Sequence, residues 1–273
     1  MRPWFLGAVI MGVMKAHING IDVRYTVTGS GPWVTLSHSL ACRLEMWDEE
    51  VKHLSKYFTV LAYDSRGHGE SGAPAIPYTL DMISDDIKGL LDQVGATQTH
   101  WIGLSMGGVF GLHAALKYPG IFETMVLADT SSKLSPEGVL AFRDRVALVK
   151  AGGMEVMVEP TLKRWFKDSF RAGSPNLMDK VGRWIRNTPA DGYIGCSAAI
   201  PTIDVTDRLG EITVPCMVMV GADDIAMPPV MAEVLDRHLP RSELVVIPGA
   251  GHLSNLEQSG AFNAALTRFY KHY

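Results

Sequence analysis

An apolar strand pattern from His100 to Leu104 runs without a spacer into a helical pattern from Ser105 to Lys117, and the junction reads Gly103-Leu104-Ser105-Met106-Gly107. This junction constrains the chain more than any other feature. A strand that turns straight into a helix must hold its middle residue in a strained backbone conformation, and small neighbours at Gly103 and Gly107 let the turn close with the Ser105 hydroxyl outward. The helix N-terminus then lies beneath that hydroxyl, where its free N–H groups favour a developing negative charge. The pattern is therefore read as a nucleophile elbow rather than as a helix-capping serine flanked by incidental glycines.

A serine hydroxyl at neutral pH needs a base to take its proton, and the base needs a third group to fix its tautomer. Behind an elbow of this kind the partners follow in the order serine, acid, histidine. Of nine histidines, His238, His252 and His272 lie late enough. His252 stands in the Gly-rich loop Pro248-Gly249-Ala250-Gly251 after the last strand pattern, whereas His238 and His272 sit in polar or terminal surroundings, so His252 is the expected base. The acid should leave the C-terminal end of the preceding strand, Val214 to Val220, where Asp223 and Asp224 compete. Two backbone N–H groups must hold the oxyanion, and Met106 and Leu40 are expected to supply them, with the Ser39 hydroxyl as a weaker option. The loop Asp64-Ser65-Arg66-Gly67-His68-Gly69 also holds an acid, a serine and a histidine, but residues so close in sequence cannot easily converge, and it is read as a structural turn.

The rest of the chain agrees with a mostly parallel sheet covered by helices. Strands are expected at Ile21 to Thr28 (as an edge), Trp33 to Ser37, Phe58 to Tyr63, Glu123 to Ala128 and Glu243 to Ile247, with a helix from Leu80 to Val94. Between Lys133 and Asp204 the alternation stops, and helical stretches such as Pro136 to Lys150 follow one another. The expected organisation is a core of residues 15–132 and 205–273 with a helical cap at 133–204 and an N-terminal extension at 1–14. The apolar run Trp4 to Met14 after Arg2 resembles a secretory h-region, yet it is too short to span a bilayer and no cleavage pattern follows, so secretion is the lesser alternative. A net charge of −4 offers no basic field for nucleic acid, and three scattered cysteines suggest neither a disulfide framework nor a zinc site. A cytoplasmic enzyme acting on a small molecule, without stable membrane insertion, is the expectation.

With these residues placed, the sequence resembles the 3-oxoadipate enol-lactonases, α/β-hydrolases of aromatic-acid breakdown. The likeness spans nearly the whole chain from Lys15. It rests on Ser37-His38-Ser39-Leu40 with Met46-Trp47-Asp48, Tyr63 to Gly69, Gly103 to Gly108, Arg164-Trp165-Phe166, Gly192-Tyr193 with Gly195-Cys196, and His252 to Glu257. It implies an α/β-hydrolase fold with a helical cap, and it favours Asp224 over Asp223 as the acid. By the same resemblance Ser105 attacks a lactone carbonyl, the enolate leaves, and His252 activates water. Such a substrate carries a carboxylate, so a cation is expected at the pocket; Arg43, Lys133 and Arg164 are the candidates, with Trp165 beside them. His38 and Ala41 depart from the Asn and Gly common in the family and bear on which substrate is taken. The alternatives are a general carboxylesterase for small acyl or aryl esters and, after it, a ligand receptor built on the same fold. No metal or organic cofactor is expected, because the triad and two N–H donors already supply nucleophile, base and electrophile.

Overall fold

A computed structural model describes residues 11–273. Eight strands form one sheet: β1 (Met11–Ile18), β2 (Ile21–Gly29), β3 (Trp33–Ser37), β4 (Thr59–Tyr63), β5 (Thr99–Leu104), β6 (Phe122–Ala128), β7 (Cys216–Gly221) and β8 (Ser242–Ile247). Their spatial order is β1-β2-β4-β3-β5-β6-β7-β8; β1 and β2 pair antiparallel, as do β2 and β4, and every other pairing is parallel. Apart from β8 at the edge, the parallel strands are buried on both faces, which is why they read as apolar runs: Val34, Leu36, Val60, Ile102, Leu104, Val126 and Val218 expose none of their surface.

Three helices belong to the first half, α1 (Asp48–Leu54), α2 (Leu80–Val94) and α3 (Met106–Lys117). The start of α2 is set by Thr79, whose hydroxyl accepts from the Met82 N–H, and its end by Gly95 in the left-handed conformation. Between β6 and β7 lie α4 (Pro136–Gly152), α5 (Val158–Trp165), α6 (Asp168–Gly173), α7 (Pro175–Asn187) and α8 (Ala190–Ala199), followed after β7 by α9 (Pro229–His238), α10 (Ser254–Glu257) and α11 (Ser259–Tyr270). The two ends of the segment between β6 and β7 are drawn together by an antiparallel bridge between Lys133 and Asp204 and by the Val205 N–H donating to the Ser132 carbonyl at 3.0 Å.

The sheet starts earlier than the sequence reading places it. β1 takes in Met11 to Met14, so those residues belong to the sheet, and β2 is covered by β1 instead of forming the edge. The sequence carries a sign of this hairpin in Asn19-Gly20, whose positive φ values of 47° and 79° suit a two-residue turn. The secretory outline over Trp4 to Ile10 lies outside the described residues. No helix among those described is long and apolar enough to cross a membrane. In α4 Phe142 is buried, whereas Leu140 and Leu148 are exposed. Met154, Met157, Leu162, Trp165 and Phe166 are all buried.

β3 has β4 on one side and β5 on the other, so the chain reverses its direction of travel across the sheet at that point. In open α/β sheets a crevice forms outside the strand ends at such a switch, and the loops leaving β3 and β5 carry Leu40 and Ser105.

Candidate active site

Ser105 occupies the elbow with φ 55° and ψ −111°, an unfavourable conformation for a residue with a side chain. Its N–H donates to the Ala128 carbonyl at 2.8 Å, and its own carbonyl accepts from the Thr130 hydroxyl at 2.8 Å, so β6 holds the turn from both sides. The flanking glycines are required by close approach. A Cβ at Gly107 would lie 2.1 Å from the Ser37 carbonyl oxygen, and one at Gly103 would lie 2.3 Å from the Gly107 oxygen.

His252 Nε2 lies 2.9 Å from Ser105 Oγ, and His252 Nδ1 lies 2.8 Å from Asp224 Oδ2. Because Nδ1 faces a carboxylate it carries the proton, which leaves Nε2 to accept from the serine hydroxyl. The other carboxylate oxygen of Asp224 accepts N–H bonds from Ala226 at 2.7 Å and Met227 at 2.9 Å, which fixes the plane of the group. Asp223 points away and pairs with Lys167 at 2.7 Å on the surface, so the two neighbouring acids are separated by direction, as expected for adjacent residues in a turn. The His252 N–H donates to the Trp165 carbonyl at 2.8 Å, while the Gly251 N–H donates to Glu257 at 2.8 Å.

A cavity of about 360 Å³ opens above Ser105 and His252. Ser39, Leu40 and Met106 line it beside the serine, and Val109, Leu134, Phe142 and Met227 supply apolar wall. The loop bearing Leu40 turns through Ala41, whose φ of 58° is left-handed backbone that glycine adopts more easily. His38 ties this loop down: its Nδ1 faces the Ser39 carbonyl at 2.8 Å, and its Nε2 accepts the Ser65 N–H at 3.0 Å. Burial lowers its pKa to about 4 and that of neighbouring His68 to about 3, so both rings are neutral. Asp64 is the structural residue of its loop, accepting from the Leu44 and Glu70 N–H groups and from Arg24.

Of the expected cations, Arg164 lines the cavity together with Trp165. Arg43 does not, being held by Glu45 at 2.6 Å and Glu70 at 3.0 Å. Lys133 does not either, since it pairs with Asp204 at 2.8 Å at the foot of the helical segment and is exposed. A second guanidinium that the sequence reading missed, Arg145 of α4, does line the cavity. It stacks 3.9 Å from the Phe142 ring centroid and spends its Nε–H on the Ala141 carbonyl. Among the described residues neither Arg145 nor Arg164 has a carboxylate partner. Burial lowers both pKa values, that of Arg145 to about 10, with the positive charge of Arg164 adding to the effect there. The only sequence sign of Arg145 is a cation placed three residues after an aromatic on one helix face, too common a pattern to single it out.

A model of the alpha/beta hydrolase fold matches residues 32–259. The chain belongs to the α/β-hydrolase family. It is similar to 3-oxoadipate enol-lactonase 2 of Acinetobacter baylyi, at 32% identity over 93% of this chain and 94% of that protein. The crystal structure of an enol-lactonase from Burkholderia xenovorans LB400 superposes with a TM-score of 0.90 at 31% identity, covering 94% of this chain and all of that one. A thermophilic esterase from Thermogutta terrifontis, in a malate-bound structure, gives 0.89 at 29% identity over 96% of this chain and 98% of the other. This α/β-hydrolase is an enzyme, and its enol-lactonase relatives are carboxylic ester hydrolases.

Proposed function

We propose that the protein opens a carboxylate-bearing lactone by acyl-enzyme chemistry, with Ser105 as nucleophile, His252 as base and Asp224 as the acid that orients it. His252 takes the Ser105 proton as Oγ attacks the lactone carbonyl. The oxyanion that forms is held by the Leu40 and Met106 N–H groups; losing one such donor typically costs about 2.7 to 4 kcal/mol of barrier. Collapse breaks the ring C–O bond as His252 returns its proton to the departing enolate oxygen; the enol, still tethered through the acyl chain, becomes a ketone. Water, deprotonated by the now neutral His252, attacks the acyl-enzyme, and the same proton passes to Ser105 Oγ as the acid is freed. No step calls on a metal or an organic cofactor. Residues 133–204 act as a cap that closes the pocket over the acyl group.

The observation that carries the lactone reading is the pair Arg145 and Arg164, half-buried cations lining the cavity; Asp144, which lines it too, forms an ion pair with neither. A bound anion would relieve an electrostatic penalty already present in the free enzyme. The similarity to enol-lactonases supports 3-oxoadipate enol-lactone as substrate, in aromatic-acid breakdown. The three cysteines are buried free thiols, which fits a reducing compartment, and we place the enzyme in the cytoplasm. A second reading, hydrolysis of small neutral esters, is favoured by the apolar wall of Val109, Leu134, Phe142 and Met227 and by the likeness to an esterase. Relative kcat/KM decides between them. Turnover of 3-oxoadipate enol-lactone is expected to exceed that of p-nitrophenyl acetate by about 100-fold or more, in line with the worth of a charge-assisted contact; the reverse ranking overturns the lactone reading.

A further inference from the structure

Asp129 is a fully buried carboxyl that the reaction described above does not use. It directly follows β6, and its backbone has φ 48°, with the N–H donating to the Met219 carbonyl of β7 at 2.8 Å. One carboxyl oxygen accepts the Gly221 N–H at 2.8 Å, and the other meets the Ser254 hydroxyl. Gly221 closes β7 and begins the turn to Asp224, whose N–H donates to the Gly221 carbonyl at 3.1 Å. Ser254 begins α10, two residues after His252. The two loops are in close contact there, for a Cβ on Gly221 would lie 2.2 Å from the Gly251 oxygen.

We propose that Asp129 is a positioning residue: a single buried carboxyl fastens the start of the Asp224 turn and the end of the His252 loop, and so fixes the Asp224–His252 pair over Ser105. This rests on the triad assigned above. The carboxyl of Asp129 accepts from both loops, from the Gly221 N–H and from the Ser254 hydroxyl. Burial and the nearby charge of Asp224 push its pKa well above the carboxylate range, against the pull of the Gly221 and Ser254 hydrogen bonds. The amide of an Asn can keep both contacts, accepting from the Gly221 N–H and donating to the Ser254 oxygen, because a hydroxyl can donate or accept. Asp129→Asn should therefore substitute for the native acid, while Asp129→Ala should not.

The test measures kcat, KM, the pH dependence of kcat/KM and thermal midpoints with p-nitrophenyl acetate, alongside labelling by a fluorophosphonate. Asp129→Ala is expected to lose about 10- to 100-fold in kcat with KM within about twofold, and to shift the acidic limb set by His252, since small misplacement of reacting groups is felt on this scale. Asp129→Asn should stay within about threefold of the native kcat and keep that limb. A native kcat and limb in Asp129→Ala, or an Asn variant as impaired as the Ala variant, overturns the proposal. If Asp129→Ala does not fold, Ser254→Ala decides, because it removes one arm only. A lower kcat at a native thermal midpoint then supports the proposal, and a native kcat overturns it. Failure of the native protein to react with the fluorophosphonate brings down the triad reading as well; labelling with unchanged Asp129 variants brings down this inference alone.

Discussion

The loops at the strand ends and the helices between β6 and β7 both face the same cavity, yet they treat their polar groups in opposite ways. Around Ser105, His252 and Asp224 each side chain has a partner at 2.7 to 2.9 Å supplied by the protein itself. On the helical side, Arg145 and Arg164 reach the cavity with no carboxylate to meet them. Groups satisfied in advance are rigid and suited to moving protons, since the geometry is set before a substrate arrives. Groups left unsatisfied hold an interaction in reserve for a ligand that brings the missing charge. On the proposed function, chemistry resides in the loops at the strand ends and selection in the helices.

Ser105→Ala should break the first half of the comparison outright. Its kcat is expected to fall by about 10⁶-fold, the loss seen when a serine nucleophile is removed, with a native thermal midpoint and no fluorophosphonate labelling. Arg164→Ala and Arg145→Ala test the second half. Each should raise KM for a carboxylate-bearing lactone by about 10- to 100-fold, the worth of a charge-assisted hydrogen bond, while leaving p-nitrophenyl acetate almost untouched. An equal loss on both substrates would mean that the arginines hold the fold and not the ligand.

A smaller effect concerns the loop under the oxyanion site. His38 and His68 have folded pKa values of about 4 and about 3, below the ordinary value of 6.5. The unfolded chain therefore binds protons first as pH falls. The stability these neutral rings contribute is present above pH 6.5 and is lost as pH drops through 4 toward 3, at about 1.4 kcal/mol per pH unit for each ring over its window. Denaturant midpoints at pH 7.5, 5.5 and 4.5 should trace the loss, and His38→Asn should flatten it. Smallest is Ala41→Gly, which removes a side chain from left-handed backbone and should stabilise by up to about 1 kcal/mol, read as a rise in thermal midpoint.

Much of the Ser105 side of the cavity was legible because its signals are local. An elbow needs small residues on both sides of Ser105, and a base after the last strand leaves a Gly-rich loop around His252. The choice between Asp223 and Asp224 needed the resemblance, since both follow the same strand; the turn then sends one to Lys167 and the other to His252. Asp129 went unremarked although it stands at a strand end, where acids of this fold are found, because nothing in its neighbours hints at Gly221 or Ser254. β1 was passed over because its apolar residues continue the run that begins at Trp4, despite the Asn19-Gly20 turn behind it.

The cations show where sequence stops. Arg43, Lys133 and Arg164 are equal by position and nothing local marks Arg145, yet of these four Arg145 and Arg164 line the cavity. Arg43 is drawn off by Glu45 and Glu70, and Lys133 by Asp204. The amino-acid sequence by itself determined the alternating fold, the strained serine and the late histidine, because each follows from backbone geometry within a few residues. Which charge faces the cavity was decided only by the tertiary structure, because it depends on how each helix is turned about its axis and on which acids come within reach of each cation.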